Sequence, residues 1–264
     1  MKPWLLIDCE TTGTDPAKDR LVEIGAVLFD PLLGIPVRAE SVLIAGDDNA
    51  AEQVNRIPAA ALRGTWCVDE LTALERVGEL ASDADFLLAH NADFDRQWLD
   101  GSLPPGAHWI DTCDGAEWPR ASSSRSLVAL ALAHDLGVAR AHRAIEDCLL
   151  LAALLTRTHE IEGGLGPWLS RAIEPRVDVA AELPMEENDA AKEAGFRWDR
   201  EAQIWRRSVR VSQIEALRQT WPFETFDPSE IEVHYNGEEP TFLTFLRGFP
   251  DPVVGIELDD DLPF

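Results

Sequence analysis

The chain has 264 residues and carries 48 acidic against 23 basic side chains, so its formal net charge is −25. This charge argues against nonspecific binding to duplex nucleic acid, because long-range repulsion opposes a polyanionic partner, although an acidic surface can equally reflect a salt-rich cytoplasm. Four widely spaced cysteines without a Cys-x-x-Cys pair predict neither a zinc site nor a disulfide framework. The short apolar runs predict neither a signal peptide nor a membrane span. We therefore expect a cytoplasmic protein.

The first predicted element is a strand that ends in two carboxylates. The apolar run at residues 4–7 gives way to Asp8 and Glu10, which precede a Thr-Thr-Gly turn. Side chains two residues apart on a strand point to the same face, so both carboxylates can converge on one cation. Such hard oxygen ligands favour magnesium or manganese over zinc. From this segment alone, a buried edge strand that simply becomes polar before a turn is an equal alternative.

The pattern that follows is typical of an α/β domain. Strands are predicted at 21–29 and 37–44, joined by the stretch 30–34, as the next strands of an antiparallel meander. An apolar stretch at 86–89 follows, and helical spacing appears at 68–81, 93–100, 124–136 and 142–158. Ser122, Ser123 and Ser124 are candidate caps for the third of these helices. Glycines and a proline at 163–167 then indicate the end of this unit near residue 172.

Two further motifs could complete a metal site, because phosphoryl transfer by two ions needs more carboxylates and a proton acceptor. The first motif places His90 five residues and Asn91 four residues before Asp95, directly after the apolar stretch. The second places His142 five residues before Asp147, with His142 in a loop and Asp147 on the helix that follows.

Taken in order, Asp8-x-Glu10, His90-Asn91-x-x-x-Asp95 and His142-x-x-x-x-Asp147 resemble the motifs of the DEDDh family of 3′-to-5′ exonucleases. The resemblance covers about residues 3–160. It implies an α/β, ribonuclease-H-like mixed sheet flanked by helices, and an enzyme that removes nucleotides from the 3′ end of single-stranded DNA in replication or repair. Trimming of RNA 3′ ends is the alternative chemistry. A catalytically inactive adaptor, recruited by its tail, is the competing class, and the intact residue set argues against it.

The resemblance also implies a role for each matching residue. Asp8 would bridge two Mg²⁺ or Mn²⁺ ions, Glu10 and Asp147 would complete the site that holds the attacking water, and Asp95 would support the second ion. His142 would be the general base, since imidazole titrates near neutral pH. Taken by itself, His142 is better explained as a solvent-facing histidine at the start of a helix, but Asp147 five residues later and the motifs upstream reverse that preference.

Substrate contacts follow from the same resemblance. Thr11 and Thr12 would lie beside the terminal nucleotide, with Asn91 nearby, although ordinary turn chemistry also explains the threonines. The segment 55–64 lacks the His-Gly-Ile type element that often wedges the end base, so the sequence leaves the grip on that base open. Asp93 adds a negative charge near the mouth, which we interpret as a solvated side chain.

Residues 1–172 therefore form the predicted exonuclease domain, 173–187 a proline-punctuated linker, 188–222 a small α+β module and 223–264 an acidic C-terminal segment. The module, with a short helix and a hairpin, resembles an accessory domain of uncharacterised role, through its Ala-Lys-x-x-Gly-x-x-Trp-Asp motif. Arg206 and Arg207, with Trp198 and Trp205 interleaved, could grip single-stranded nucleic acid with a free 3′ end. The equal alternative is that both tryptophans form the core of the module.

The chain ends in Asp-Asp-Asp-Leu-Pro-Phe, which resembles the acidic tip of bacterial single-stranded DNA-binding proteins. In that interpretation Phe264 and Pro263 would enter an apolar pocket on proteins that dock such tips, while Asp260 and Asp261 would steer the approach. A solvated acidic tail is the equal alternative.

Overall fold

The computed structural model describes residues 2–105, 107–113, 115–140, 142–174, 176–181, 188–193, 195–200, 204–213 and 232–234. The contacts within the chain separate it into two compact units. The first contains Met1–Ile173, and the second begins at Glu174.

The first unit is built on a five-stranded mixed sheet. Its strands are β1 (Trp4–Thr11), β2 (Leu21–Asp30), β3 (Ile35–Leu43), β4 (Phe86–Ala89) and β5 (Trp109–Asp111). They lie in the order β3-β2-β1-β4-β5. β1, β2 and β3 pair antiparallel, whereas β4 is parallel to both β1 and β5. The predicted meander and mixed sheet are thereby confirmed, while β5 was not predicted because three residues carry too little pattern.

Among the described residues of the first unit, six α-helices surround this sheet: α1 (Glu52–Asn55), α2 (Glu70–Ser82), α3 (Ala92–Leu99), α4 (Leu127–Ala133), α5 (Ala144–Glu162) and α6 (Gly166–Ile173). Four of them match the predicted helices, and α1 and α6 were not predicted. The predicted caps of α4 were wrong, because Ser126, which has extended backbone directly before the helix, accepts the bond from Ala129 N at 3.3 Å. Among the described residues, no helix combines the length and the apolar character needed to cross a membrane.

The two faces of β1 pack against different helices. Leu5, Ile7 and Cys9 are buried in a core that includes Ala73 and Val77 of α2. By strand alternation, Leu6, Asp8 and Glu10 point to the opposite face, where α5 packs on the sheet. The covering of both faces by helices explains why β1 is apolar until it reaches its carboxyl end.

An aromatic cluster fixes the other end of β1. Trp4 contacts Phe29, Phe86 and Trp168, with ring centroids 6.4, 6.2 and 5.8 Å apart. Trp168 belongs to α6 and is fully buried. Burial of Trp168 makes α6 part of the first core, and this helix lies in the segment that the sequence pattern placed at the end of the first domain, near residue 172.

The second unit contains a four-stranded sheet and a short helix. Its elements are β6 (Arg176–Ala181), α7 (Asn188–Glu193), β7 (Arg197–Asp199), β8 (Ile204–Arg210) and β9 (Glu232–His234), and the strand order is β7-β8-β6-β9. The predicted β7–β8 hairpin is confirmed, with Trp198 opposite Trp205. The predicted linker was wrong where β6 forms, because alternating Val177 and Val179 pair with β8 despite the preceding proline. β9 also lies inside the segment predicted as an acidic tail.

Candidate active site

Three carboxylates from two elements meet at the carboxyl end of β1. Asp8 and Glu10 come from β1, and Asp147 comes from the first turn of α5. One ligand oxygen from each of them lies within 4.8 Å of the others. This spacing suits shared coordination of a divalent cation by hard oxygen ligands.

A glycine allows α5 to approach β1 and β2 closely enough to form this cluster. Gly25 stands opposite Asp8 in the β1–β2 register. A Cβ atom at Gly25 would lie 2.3 Å from the carbonyl carbon of Ala144, the first residue of α5. The Cys148 thiol, one turn further along α5, also lies 3.4 Å from the Gly25 carbonyl oxygen. The missing side chain therefore sets the distance between Asp147 and β1.

Asp95 approaches from the neighbouring helix α3. It is 2% exposed, and its Oδ1 accepts a hydrogen bond from the Cys9 amide at 2.9 Å. Cys9 lies between the two β1 carboxylates, so Asp95 is held directly beside them without being one of the three clustered ligands. Asp93, in the same helix, is exposed to solvent.

Burial raises the pKa values of all four acids, and repulsion by the other acids of the site adds to this effect for Asp8 and Glu10. Burial is the largest cause for Asp8, whose pKa lies well above its usual range, and the charges of Asp95, Asp147 and Glu10 raise it further. Burial followed by the charge of Asp147 raises the pKa of Glu10 to about 7. Burial also raises the pKa values of Asp95 and Asp147, against hydrogen bonds to backbone amides that lower them.

This accumulation of negative charge fits a divalent cation. Several partly buried carboxylates within a few ångströms of each other are unfavourable when ionised, and a bound cation removes that penalty. Among the described residues, this is the one group of three or more acidic, histidine or cysteine side chains with the spacing of a metal site. Asp8, Glu10 and Asp147 would hold the ion, and Asp95 lies close enough to assist.

His142 lies at the entrance to α5. It is exposed, its φ is +66°, and its backbone amide donates to Oδ2 of Asp147 at 3.0 Å. A positive φ is uncommon outside glycine and is often found at functional sites. The bond to Asp147 ties the predicted general base to a predicted metal ligand.

The sequence reasoning missed an ion pair behind the cluster. Glu23 of β2 is fully buried opposite Glu10, and Arg143 binds both of its carboxylate oxygens. The positive charge of Arg143 lowers the pKa of Glu10, whereas the charge of Glu23 raises it. A signal was present, because Glu23 is the one charged residue inside the apolar run of β2.

The predicted substrate residues Thr11 and Thr12 follow Glu10 directly in the sequence, but their hydroxyl groups have partners in the fold. The Thr11 hydroxyl donates to the Gly13 carbonyl, and the Thr11 carbonyl accepts a bond from Asn55 Nδ2 at 3.2 Å. The Thr12 hydroxyl donates to Asp19 Oδ1 at 3.3 Å. Asn91 is exposed with φ +85°, directly before α3. Contact of these residues with a nucleotide stays a prediction.

Asn55 shows how the segment without the usual wedge element is attached. Its side chain is fully buried and accepts a 2.8 Å bond from Asn49 Nδ2, besides donating to Thr11. The next residue, Arg56, has φ +58° and is exposed. A polar junction thus fastens the segment after β3 to the carboxyl end of β1.

In the second unit, the two tryptophans stand in different environments. Trp205 is 4% exposed and contacts half-buried Trp198 at a centroid distance of 5.4 Å, so Trp205 belongs to the core of the module. Arg206 is exposed, and its Nε lies 3.2 Å from Oδ2 of Asp199. Arg207 is half-buried. A role for these arginines in nucleic-acid binding stays a prediction. The predicted partner-binding residues Asp260, Asp261, Pro263 and Phe264 lie outside the described residues.

Comparison with known proteins bears on the first unit. A family model described as exonuclease matches residues 5–155. The chain is 34% identical over 164 residues to DNA polymerase III subunit epsilon of Treponema pallidum (strain Nichols), which covers 56% of this chain and 73% of that protein. It is 29% identical over 174 residues to the PolC-type DNA polymerase III of Thermotoga petrophila, which covers 62% of this chain but 12% of that protein.

Solved structures show the same fold. The zinc-bound complex of E. coli ExoI with single-stranded DNA matches with a TM-score of 0.55 at 19% identity, over 68% of this chain and 48% of that chain. Another exonuclease I structure matches with a TM-score of 0.57 at 16% identity, over 94% of this chain and 68% of that chain. These identities support the fold alone. Because the family model spans more than half of the sequence and includes every clustered carboxylate, this chain belongs to the exonuclease family, as a 3′-to-5′ exonuclease of the DEDDh type.

Proposed function

We propose that this enzyme removes nucleotides one at a time from a free 3′ end of single-stranded DNA, in replication or repair in the cytoplasm, with two Mg²⁺ or Mn²⁺ ions. The observation that carries the proposal is the meeting of Asp8, Glu10 and Asp147 within 4.8 Å. Similarity to a DNA polymerase III subunit and to a nuclease solved with single-stranded DNA supports the substrate class.

Each side chain then has a chemical task. His142, exposed beside Asp147, accepts the proton of the attacking water, and the backbone bond from His142 to Asp147 keeps base and ligand together. Bound divalent ions would stabilise the charge on the entering and leaving oxygens of an in-line displacement at phosphorus. Asp95, fixed by the Cys9 amide, would support the second ion, and Thr11 would lie beside the last nucleotide.

The proposal is tested with end-labelled DNA and RNA oligonucleotides, single-stranded or duplex, whose 3′ ends are free or blocked. With Mg²⁺ or Mn²⁺ we expect stepwise shortening of single-stranded DNA from free 3′ ends only. The Asp95→Asn variant should lower kcat by at least about 100-fold, because it weakens support of the second ion. Asp93→Asn is the matched control, since this exposed carboxylate is two residues away in the same helix.

Three results would contradict parts of the proposal. Faster shortening of RNA would replace DNA as the substrate. Cleavage of oligonucleotides with blocked 3′ ends would overturn the assigned polarity. Absence of cleavage with either ion and every substrate would favour an inactive adaptor.

A further inference from the structure

An ion pair between fully buried Glu23 and half-buried Arg143 stands directly behind the clustered carboxylates. Glu23 lies opposite Glu10 in the β1–β2 register and has no exposed surface. Arg143 Nε donates to its Oε2 at 2.8 Å, and Arg143 Nη2 donates to its Oε1 at 2.9 Å. Such a two-pronged arrangement fixes the orientation of both side chains.

The same carboxylate also holds the start of α5 and the edge of the sheet. Its Oε2 accepts a bond from the backbone amide of Ala144 at 3.2 Å, and its Oε1 accepts one from the Ser41 hydroxyl at 2.7 Å. Four donors from two segments therefore converge on Glu23. One segment is the strand β3, which carries Ser41, and the other is the start of the helix that carries Asp147.

Arg143 lies next to both predicted functional residues of that turn, His142 and Asp147. It lies between His142 and the first residue of α5, and its carbonyl accepts the amide of Asp147 at 3.0 Å. The amide of His142 donates to the Asp147 side chain. A shift of Arg143 relative to Glu23 would therefore move the base and the ligand together.

Stability alone does not explain this pair. Such a pair is often no more stabilising than well-packed apolar residues, because Glu23 loses its hydration and half-buried Arg143 loses part of its own. Here the buried acid also adds negative charge beside Asp8 and Glu10. The presence of the ion pair is better explained if the site requires the start of α5 to be held in one fixed position.

We propose that Glu23 and Arg143 are positioning residues, which hold the start of α5 against the sheet so that the carboxylates of both elements meet around bound cations. In this role neither residue would touch the substrate or an ion. The inference rests on the proposed metal-dependent function, and it concerns residues that support metal ligands from outside the coordination sphere.

The test measures two properties of the full-length protein. Mn²⁺ binding is measured by calorimetry without nucleic acid, and kcat and KM are measured with single-stranded DNA. We expect Arg143→Met to weaken Mn²⁺ binding and to lower kcat, each by about 10–100-fold, with KM changed by less than about threefold. Arg143→Lys keeps the charge but loses the fork, so its values should lie between those of the wild type and Arg143→Met.

A double variant separates positioning from folding. Removing one partner of a buried pair destabilises a protein, whereas replacing both with apolar residues is often neutral. We expect Glu23→Leu combined with Arg143→Met to unfold near the wild-type Tm while Mn²⁺ affinity and kcat stay lowered. Arg171→Met is the control, because Arg171 pairs with Glu162 at the other end of α5 and should leave both measurements unchanged.

Two outcomes would overturn the inference. Wild-type Mn²⁺ affinity and kcat in the double variant would mean that the pair serves folding only. If the double variant does not fold, wild-type Mn²⁺ affinity and kcat in Arg143→Lys would lead to the same conclusion. A raised KM with unchanged Mn²⁺ affinity in Arg143→Met would make Arg143 a substrate contact. Because Mn²⁺ binding is measured without nucleic acid, a wrong substrate assignment would not be mistaken for either outcome.

Discussion

Glu10 experiences opposing charges from the residues around it. Burial, then the charges of Asp147 and Glu23, raise its pKa, and Arg143 acts in the other direction, with a result of about 7. The pKa values of its neighbours Asp8 and Asp147 are raised as well. No residue in this cluster of acids supplies the positive charge that a bound ion would. The folded protein without metal therefore holds protons that an unfolded chain would release.

The sign of the resulting pH effect follows from proton counting. Between the ordinary pKa of 4.5 and the folded value of about 7, Glu10 binds more protons in the folded state than in the unfolded state. The free energy of unfolding therefore falls as pH rises through this window. After allowance for its partial exposure, we expect Glu10 to contribute a loss of about 2 kcal/mol between about pH 4.5 and 8.

This prediction is checked by urea unfolding in EDTA across that range, with the Glu10→Gln variant measured in parallel. The variant should show a shallower fall, because its side chain does not titrate. Added Mg²⁺ should stabilise the wild-type protein more at about pH 8 than at about pH 5, since protons compete with the ion at low pH. Identical pH profiles for both proteins would refute the assignment.

At the scale of elements, the active site depends on the contact between α5 and two strands. β1 supplies two carboxylates, α5 supplies the third, and β2 supplies both Gly25 and the acid that binds Arg143. Close packing leaves little room for adjustment there, because backbone atoms rather than flexible side-chain ends meet at Gly25.

We predict that Gly25→Ala displaces the start of α5. The added Cβ would lie 2.3 Å from the Ala144 carbonyl carbon, so one of the two elements must move. Overpacking of this kind costs about 1–3 kcal/mol, and the movement should also weaken Mn²⁺ binding. Gly166→Ala is the matched control, because nothing lies within 4 Å of a Cβ at that position. Equal Tm and Mn²⁺ affinity in both variants would show that the close approach is not required.

Local spacing could predict part of this site. The two-residue interval between Asp8 and Glu10 and the start of a helix near Asp147 are properties of neighbouring residues, so alternation and helix signals revealed them. The bond between Glu23 and Arg143 spans 120 positions, and it depends on strand register and on where α5 docks. The strand β6 was missed for a related reason, since its partners β8 and β9 determine its structure.

At the scale of the whole molecule, the predicted catalytic residues belong to one compact unit. Asp8, Glu10, Asp95, His142 and Asp147 all fall within Met1–Ile173, and the exonuclease family model ends at residue 155. The only clearly basic stretch of a chain with net charge −25 lies in the second unit, around β8. The predicted catalytic residues and the basic residues that could bind nucleic acid therefore belong to different parts of the sequence.

We predict that a fragment of residues 1–173 folds and keeps its activity. A unit of this length can bury a sufficient core, and its aromatic cluster, including Trp168 of α6, lies wholly within the fragment. We expect kcat on short single-stranded DNA to stay within about threefold of the full-length value, since no predicted catalytic residue is removed. The same fragment with Asp8→Asn controls for contaminating nucleases.

A rise in KM alone would assign substrate binding to the removed residues, where Arg206 and Arg207 are the candidates. A folded fragment without cleavage would instead require the second unit for catalysis, which contradicts the assignment of every catalytic group to the first.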